Sequence, residues 1–353
     1  MPGVACVVPS RRRCCALTDC VWFITACASH VQRVGQGFKG QLGCWSDEHL
    51  EGLTRLAEGI AKNDSVSVVQ LHHAGIRSPA NLIGEQPVGA SEDEATNSRE
   101  LTTQEVEELV EDFIVGAERC EAAGFDGVEL HGAHGYILCQ FLSSETNRRT
   151  DRYGGSAENR ERLVREIIAG IRQRCRPDFN LGIRLSPERF GILLGETLEF
   201  VQALCNEGML DYIDLSLWDS FKEPNEEEFR GKPLMQWFNE LDRKDCRFGV
   251  AGKIMTSEEA QACFTAGMDF VLIGRGAILH HNYPLLAMAD PAWEPIATPV
   301  APEHLLNEGL SETFVSYMSG WAGFVAGGEE GGRMAAMRGP SSFEECLPWS
   351  RYI

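Results

Sequence analysis

The sequence predicts an α/β fold built on parallel strands. Short apolar segments rich in β-branched residues alternate along the chain with segments whose apolar residues recur at helical spacing. Each strand candidate is a nearly continuous apolar run, which is typical of strands covered on both faces. This alternation favours a parallel sheet or a closed barrel. The strand candidates, in chain order, are Val21–Ala28, Val66–Leu71, Gly127–His131, Leu181–Leu185, Tyr212–Leu215, Phe248–Ala251 and Phe270–Ile273.

The helical segments between these strands carry recognisable end signals. Thr102 is followed three residues later by Glu105, and Thr256 by Glu259, which is the spacing of a capping box at a helix N-terminus. Gly124 follows the first of these helices where a C-terminal glycine is expected. We therefore expect well-defined helices after two of the strands.

Seven strands are one fewer than an eight-stranded barrel needs. Val4–Val8 is a candidate for the eighth, but only 12 residues separate it from Val21. A crossover to a parallel neighbour, including its helix, needs at least ~10–12 residues, so this connection would be at the limit. We expect the first strand to be missing or degenerate, which would leave two strand edges open.

The chain is expected to hold one main domain. We assign residues 1–20 to an atypical N-terminal segment, 21–285 to the barrel, 286–326 to a helical segment of the same domain and 327–353 to a loosely ordered, Gly- and Ser-rich tail. Arg11–Arg13 and the apolar run behind them also resemble a cleaved signal peptide, although Asp19 interrupts that run. No apolar run reaches the ~18 residues of a membrane span.

Charge and cysteine content exclude several classes of function. The 353 residues include 52 acidic and 32 basic side chains, a net charge of −20. Such a surface repels nucleic acids and anionic membranes, so a small-molecule substrate is the expected partner. Thirteen cysteines are scattered without a C-x-x-C pair. This pattern favours reduced thiols in a cytoplasmic protein over a disulfide framework.

Residues able to carry chemistry follow the ends of the predicted strands. In a parallel barrel these ends meet at one face, where active sites lie. Glycines at two adjacent strand ends would expose backbone N–H groups to a phosphate, and an arginine beside them would add a bidentate charge. The candidates at these positions are Gln70, His131, His134, Tyr136, Arg184, Gly252, Gly274 and Arg275.

One long motif resembles a known family. The stretch HGAHGYILCQFLSSETNRRTDRYGGSAENRERL (131–163) is similar to the central motif of the old yellow enzyme family, the NADH:flavin oxidoreductases. GQLGCWSDEHLEGL, VVQLHHAG, GIRLSP and the region from VAGKIMTSEEA to VLIGRG follow in the family's order and spacing, so the resemblance covers roughly residues 21–285. It implies a TIM (β/α)8-type barrel, non-covalently bound FMN and NAD(P)H as reductant.

The resemblance also implies roles for individual residues in binding the cofactor. Gln70 would hydrogen-bond the pyrimidine edge of the flavin, and Arg184 would lie near its N1/C2 carbonyl region. Gly252, Gly274 and Arg275 would hold the FMN phosphate. No cysteine cluster and no G-x-G-x-x-G fingerprint follow the barrel in this sequence, so we expect neither an iron–sulfur cluster nor FAD.

For the substrate, the resemblance implies an α,β-unsaturated carbonyl compound. His131 and His134 would bind its carbonyl oxygen, and Tyr136 would donate a proton to Cα while the flavin N5 delivers hydride to Cβ. Two N–H donors on one oxygen polarise a conjugated carbonyl, and a phenol is an adequate acid for a carbon with enolate character. Neither His72 nor His73 is expected to be catalytic.

Less specific interpretations compete with these roles. His131-x-x-His134 could be a metal site, Tyr136 could be an ordinary core tyrosine, and Arg184 a buried structural arginine. The whole chain could also be a degenerate barrel that binds no flavin and has no catalytic activity. All the cofactor- and substrate-binding residues that the resemblance implies are present, which favours the oxidoreductase. The altered N-terminus favours the degenerate barrel.

Overall fold

Eight strands form a closed barrel in the computed structural model, which describes residues 4–8, 21–62 and 65–327. All seven strands predicted from the sequence are present, most of them one or two residues longer than predicted. Around the barrel the order is β1-β8-β7-β6-β5-β4-β3-β2. The strands are β1 Val4–Val8, β2 Val21–His30, β3 Val66–His72, β4 Gly127–Gly132, β5 Asn180–Leu185, β6 Tyr212–Ser216, β7 Arg247–Ala251 and β8 Phe270–Ile273.

The closing strand β1 runs against the direction of its neighbours. It pairs antiparallel with both β8 and β2, and Cys6 lies opposite Leu272 on one side and Phe23 on the other. The other neighbouring strands pair in parallel. An antiparallel neighbour can be reached by a short connection, whereas a parallel one needs a crossover of a dozen or more residues. The open edges expected from the sequence are therefore both paired.

Helices cover the outside of the barrel. The capping boxes predicted at Thr102 and Thr256 both form, with Glu105 and Glu259 completing them. No helix among the described residues is long and apolar enough to cross a membrane. The helices are α1 Leu50–Ala61, α2 Ala80–Ile83, α3 Thr103–Ala122, α4 Ile137–Leu142, α5 Ala157–Arg174, α6 Leu194–Glu207, α7 Leu234–Asn239, α8 Ser257–Thr265, α9 Arg275–Leu279, α10 Tyr283–Ala289, α11 Pro302–Asn307 and α12 Glu312–Ser319. Short 3-10 turns lie at Arg33–Gly35, Asp47–His49, Gly75–Arg77 and Glu227–Phe229.

The main hydrophobic core lies between the strands and these helices. Outward-facing strand residues such as Leu130, Ile183 and Ile213 are fully buried there. A separate small cluster of Tyr212, Phe270 and Leu272 fills part of the barrel interior. This division leaves the remaining interior positions available for polar side chains.

Two glycines make room for that interior cluster. A Cβ at Gly182 would lie 2.1 Å from the Tyr212 ring, and a Cβ at Gly249 would lie 2.0 Å from the Phe270 ring. Both distances are far below van der Waals contact, so a side chain at either position would displace an aromatic ring from the barrel. The aromatic rings and the glycines opposite them thus fill this layer of the interior together.

The C-terminal helices and the cysteines both contribute buried side chains. α11 and α12 pack Leu305, Val315 and Met318 into a small apolar cluster of their own. Residues 9–20 and 328–353, which hold most of the atypical N-terminal segment and of the predicted tail, lie outside the described residues. The cysteines whose side chains are described are all buried free thiols.

The closing role of β1 can be tested at Cys6, whose backbone faces a neighbour on both sides. Cys6→Pro removes a ladder N–H and should lower the free energy of unfolding by about 1–3 kcal/mol. Cys6→Val keeps the N–H and favours a strand, so it should stay within ~0.5 kcal/mol of the wild type. Denaturant unfolding measures both, and a proline variant as stable as the valine variant would show that β1 does not close the barrel.

Candidate active site

The barrel interior is polar toward the C-terminal ends of the strands. Because alternate residues of a strand face the same side, Gln70 and His72 on β3 share the interior face, as do Glu129 and His131 on β4. Register places Gln70 beside Glu129, and the Gln70 Nε2 donates to Glu129 Oε1 over 2.6 Å. On β5, Arg184 lies beside His131. Five neighbouring interior positions thus carry polar side chains.

A buried ion pair continues this polar row onto β6. Arg184 Nε lies 3.1 Å from Asp214 Oδ2, and the Asp214 side chain is completely buried. Burial raises the pKa of Asp214, the Arg184 charge opposes this, and the Glu129 carboxylate raises it further. Burial likewise raises the pKa of Glu129, against the effect of Arg184. Arg184 is therefore the cation that balances two carboxyl groups inside the barrel.

Three rings predicted to act on the substrate are brought together above this pair. The ring centroids of His131 and His134 lie 5.1 Å apart, and those of His131 and Tyr136 lie 5.0 Å apart. Burial is the main cause that holds the pKa of both histidines well below the usual value. Both imidazoles are thus neutral near pH 7. His131 Nδ1 accepts from the Ala133 N–H at 3.4 Å, so its proton sits on Nε2.

Ser216, at the end of β6, links the ion pair to these rings and was not predicted from the sequence. Its hydroxyl lies 2.7 Å from His134 Nε2 and accepts from Arg184 Nη2 at 3.2 Å. The His134 backbone N–H donates to Ser186 Oγ at 3.0 Å. His134 is therefore fixed both through its side chain and through its backbone. The signal that could have identified Ser216 is its position two residues after Asp214, on the same face of the strand.

His72 and Arg77 also lie against the predicted proton donor. The His72 and Tyr136 ring centroids are 4.4 Å apart, and the Arg77 guanidinium lies 5.2 Å from the Tyr136 ring centroid. Arg77 also donates to the His134 carbonyl. His73, in contrast, faces Gln32 rather than this cluster. From the sequence we expected no catalytic role for His72 or His73. Because His72 follows Gln70 by two residues on the same strand, its place in the interior could have been predicted.

The charges around His131 and His134 disfavour the metal-site interpretation. Arg184 and Arg77 both lower the pKa of His134, because their positive charges oppose a proton on the ring. The same charges would oppose a metal cation. These rings are therefore better suited to donate hydrogen bonds to an oxygen atom than to coordinate a metal.

A second group of possible ligands, His280, His304 and Glu308, lies near the C-terminal helices. His280 Nε2 accepts a hydrogen bond from the Ile296 N–H at 2.9 Å, which places the ring proton on Nδ1. His304 Nε2 lies 2.8 Å from the Leu279 carbonyl and donates to it. His280 thus has no free lone pair in this arrangement. The group is not preassembled for a metal.

The predicted phosphate residues lie at two adjacent strand ends. Leu272 pairs with Ala251, so Gly252 and Gly274 follow neighbouring positions of β7 and β8. A Cβ at Gly274 would meet no atom within 4 Å, so this strand end is open to a ligand. A Cβ at Gly252 would lie 2.9 Å from the Asp219 backbone nitrogen, which requires glycine. Arg275 is exposed beside this opening.

Strained backbone surrounds the same end of the barrel. Among the described residues that are not glycine, a positive φ occurs at positions following four consecutive strands, β4 to β7. The Arg189 guanidinium also lies 4.4 Å from the centroid of the half-exposed Trp218 ring. A positive φ at a residue other than glycine costs of order 1–3 kcal/mol, and such residues concentrate at functional sites. The residues are His134 (61°), Arg189 (73°), Phe190 (56°), Trp218 (66°) and Lys253 (50°).

Comparison with known proteins gives the family that the sequence motif resembles. Residues 16–285 match the profile of the NADH:flavin oxidoreductase / NADH oxidase family. The chain is 36% identical over 271 residues to the probable NADH-dependent flavin oxidoreductase YqiG of Bacillus subtilis, covering 74% of this chain and 72% of that protein. It is 32% identical over 263 residues to the NADPH dehydrogenase of the same organism, covering 70% and 74%. The structure of morphinone reductase in complex with tetrahydroNAD superposes with a TM-score of 0.66 at 28% identity, covering 80% of this chain and 81% of that chain.

The phosphate assignment can be tested at Arg275. Arg275→Ala removes one charge-assisted contact, worth about 1.5–3 kcal/mol, and should weaken FMN binding about 10- to 150-fold. Because Arg275 is exposed, the melting temperature of the FMN-free protein should change little. Arg55→Ala, at an exposed arginine of α1, is the matched control and should bind FMN like the wild type. Fluorescence titration with FMN gives both affinities, and equal values would remove Arg275 from the phosphate site.

Proposed function

Since this chain belongs to the NADH:flavin oxidoreductase / NADH oxidase family, the old yellow enzyme family, we propose that it reduces activated C=C bonds of α,β-unsaturated carbonyl compounds. The family implies FMN as cofactor and NAD(P)H as reductant. The single observation that carries the proposal is the cluster of His131, His134 and Tyr136 at the C-terminal end of the barrel.

The described residues fit a flavin at this end of the barrel. Gln70 offers an amide to a pyrimidine edge, and Arg184 offers a cation to a ring system that becomes anionic when reduced. Gly252, Gly274 and Arg275 suit the phosphate for the reasons given above. When bound, FMN would supply the redox chemistry by taking a hydride from NAD(P)H and passing it to the substrate.

The two histidines would bind and polarise the substrate carbonyl. His131 carries its proton on Nε2, and both rings are neutral because they are buried. Neutral N–H donors stabilise negative charge that develops on an oxygen without requiring a proton transfer. The bonds from Ser216 and Ser186 to His134 hold this donor in a fixed position, which avoids reorganisation during the reaction.

Tyr136 would supply the proton that completes the reduction. Hydride addition at Cβ leaves carbanion character at Cα, and the Tyr136 ring stands edge-to-face against His131, which would bind the carbonyl, at 5.0 Å between centroids. Arg77 and His72 contact the ring of Tyr136, so the phenol is held on two sides. The alternative of a flavin-free, inactive barrel is not favoured, because these residues are assembled in one place and the family match spans the barrel.

The proton-donor role predicts a selective defect in Tyr136→Phe. Flavin binding and reduction by NAD(P)H should be retained, because the phenol acts only after hydride has left the flavin. Reduction of a simple enone should slow by about 10²–10⁴-fold, the usual contribution of general acid catalysis. Stopped-flow measurement of the two half-reactions separates these steps.

Tyr317→Phe on α12, outside the barrel interior, is the matched control and should leave both half-reactions unchanged. Equal slowing of flavin reduction and enone reduction in Tyr136→Phe would contradict the donor role and would indicate general damage to the site.

A further inference from the structure

His72 is a buried imidazole in the site to which the proposed reaction assigns no step. It is 2% exposed, and its ring stands edge-to-face against Tyr136 at 4.4 Å and against His131 at 5.3 Å between centroids. The three rings are mutually inclined by 74° or more. His72 is thus in direct contact with both the proposed proton donor and a proposed carbonyl-binding residue.

Gln41, on the loop after β2, determines which nitrogen of His72 carries the proton. Its Oε1 accepts from the Gly37 N–H at 2.6 Å, and its Nε2 donates to the Ala28 carbonyl at 2.6 Å. These two backbone groups fix the orientation of the amide, because exchanging its oxygen and nitrogen would break both bonds. The remaining Nε2 hydrogen lies toward His72 Nδ1, at 3.0 Å. His72 Nδ1 is therefore the acceptor, and the ring proton sits on Nε2.

The surroundings keep this imidazole uncharged. Burial lowers the pKa of His72 well below its usual value, and the neighbouring groups His131, His73, His30 and Arg77 lower it further. No carboxylate is among the charged groups that affect it. His72 thus offers a neutral Nε2–H dipole to its neighbours near pH 7.

We propose that Gln41 and His72 are positioning residues that hold a neutral N–H donor against Tyr136 and thereby make the phenol a stronger acid. The proposal rests on the function proposed above. In that step the Tyr136 O–H bond breaks, its electron pair stays on the phenolate oxygen, and the proton forms the new Cα–H bond. His72 transfers no proton itself. If it gave up its Nε2 proton it would need a new proton at Nδ1, and the Gln41 amide that faces Nδ1 cannot supply one.

The proposal predicts opposite pH shifts for two substitutions. In His72→Phe the N–H dipole is lost and the Tyr136 phenolate is less stabilised. Enone reduction should then slow about tenfold, and the basic limb of its pH–rate profile should move to higher pH. In Gln41→Glu a carboxylate faces His72 Nδ1 and favours the imidazolium, which should move that limb to lower pH. The titratable and charged groups that face His72, namely His131, His134, His73, His30 and Arg77, are the same in both variants.

The controls separate this role from simple packing. His72→Gln restores a side-chain N–H and should recover part of the lost rate, whereas a packing role would follow ring shape and leave His72→Gln worse than His72→Phe. Gln36→Glu places the same charge on the same loop, on a side chain that donates to the Phe38 carbonyl and not to His72, and should not move the basic limb of the pH–rate profile. Flavin reduction by NAD(P)H should be unchanged in all four variants.

A spectroscopic measurement tests the proton position without any activity. Nitrogen-15 NMR of the histidines in the FMN-bound protein should show His72 as a neutral ring protonated at Nε2 from pH 6 to 8, and Gln41→Glu should change that signal. A ring protonated at Nδ1, or an imidazolium at pH 7, would overturn the proposal, as would unshifted pH limbs in both variants. If the wild type reduces no enone, the proposed function fails, and the NMR result still decides the Gln41–His72 arrangement.

Discussion

The ion pair between Arg184 and Asp214 is the constraint around which this barrel is organised. Moving two charges out of water costs several kcal/mol per ion, and their attraction recovers that cost only with good geometry. The Arg184 Nε and Asp214 Oδ2 atoms lie 3.1 Å apart on neighbouring strands, but among the described residues neither Asp214 oxygen accepts a hydrogen bond, and Glu129 adds a second carboxyl group. The apolar core that stabilises the fold lies elsewhere, between strands and helices. The barrel can therefore accept a costly polar interior.

From this pair a chain of contacts leads to the three residues proposed to act on the substrate. Arg184 reaches Ser216, Ser216 reaches His134, and the rings of His134, His131 and Tyr136 pack on one another. The chain crosses β4, β5 and β6, so the relative position of these groups depends on strand register. Burial then keeps the imidazoles neutral, which suits them to donate hydrogen bonds to an oxygen.

Much of the fold could be predicted because its signals are local. Apolar runs gave the seven parallel strands, and the capping boxes at Thr102 and Thr256 gave two helix starts. The direction of β1 could not be predicted, since it depends on pairing with strands at both ends of the barrel domain. In the site, Ser216 and His72 were missed because their importance comes from cross-strand neighbours. The roles of Gln70, Arg184 and Arg275 toward FMN stay predictions.

The most direct test of this account is FMN binding by a variant in which both members of the ion pair become apolar, Arg184→Met with Asp214→Leu. Replacing both partners leaves neither member of the pair as a lone buried charge, and burial favours the protonated, neutral form of Glu129 once Arg184 is gone. The protein should therefore stay folded with a melting temperature close to that of the wild type. If the polar interior exists to bind flavin, titration with FMN should show an affinity at least tenfold weaker than in the wild type. A stable double variant that binds FMN as tightly as the wild type would contradict this account.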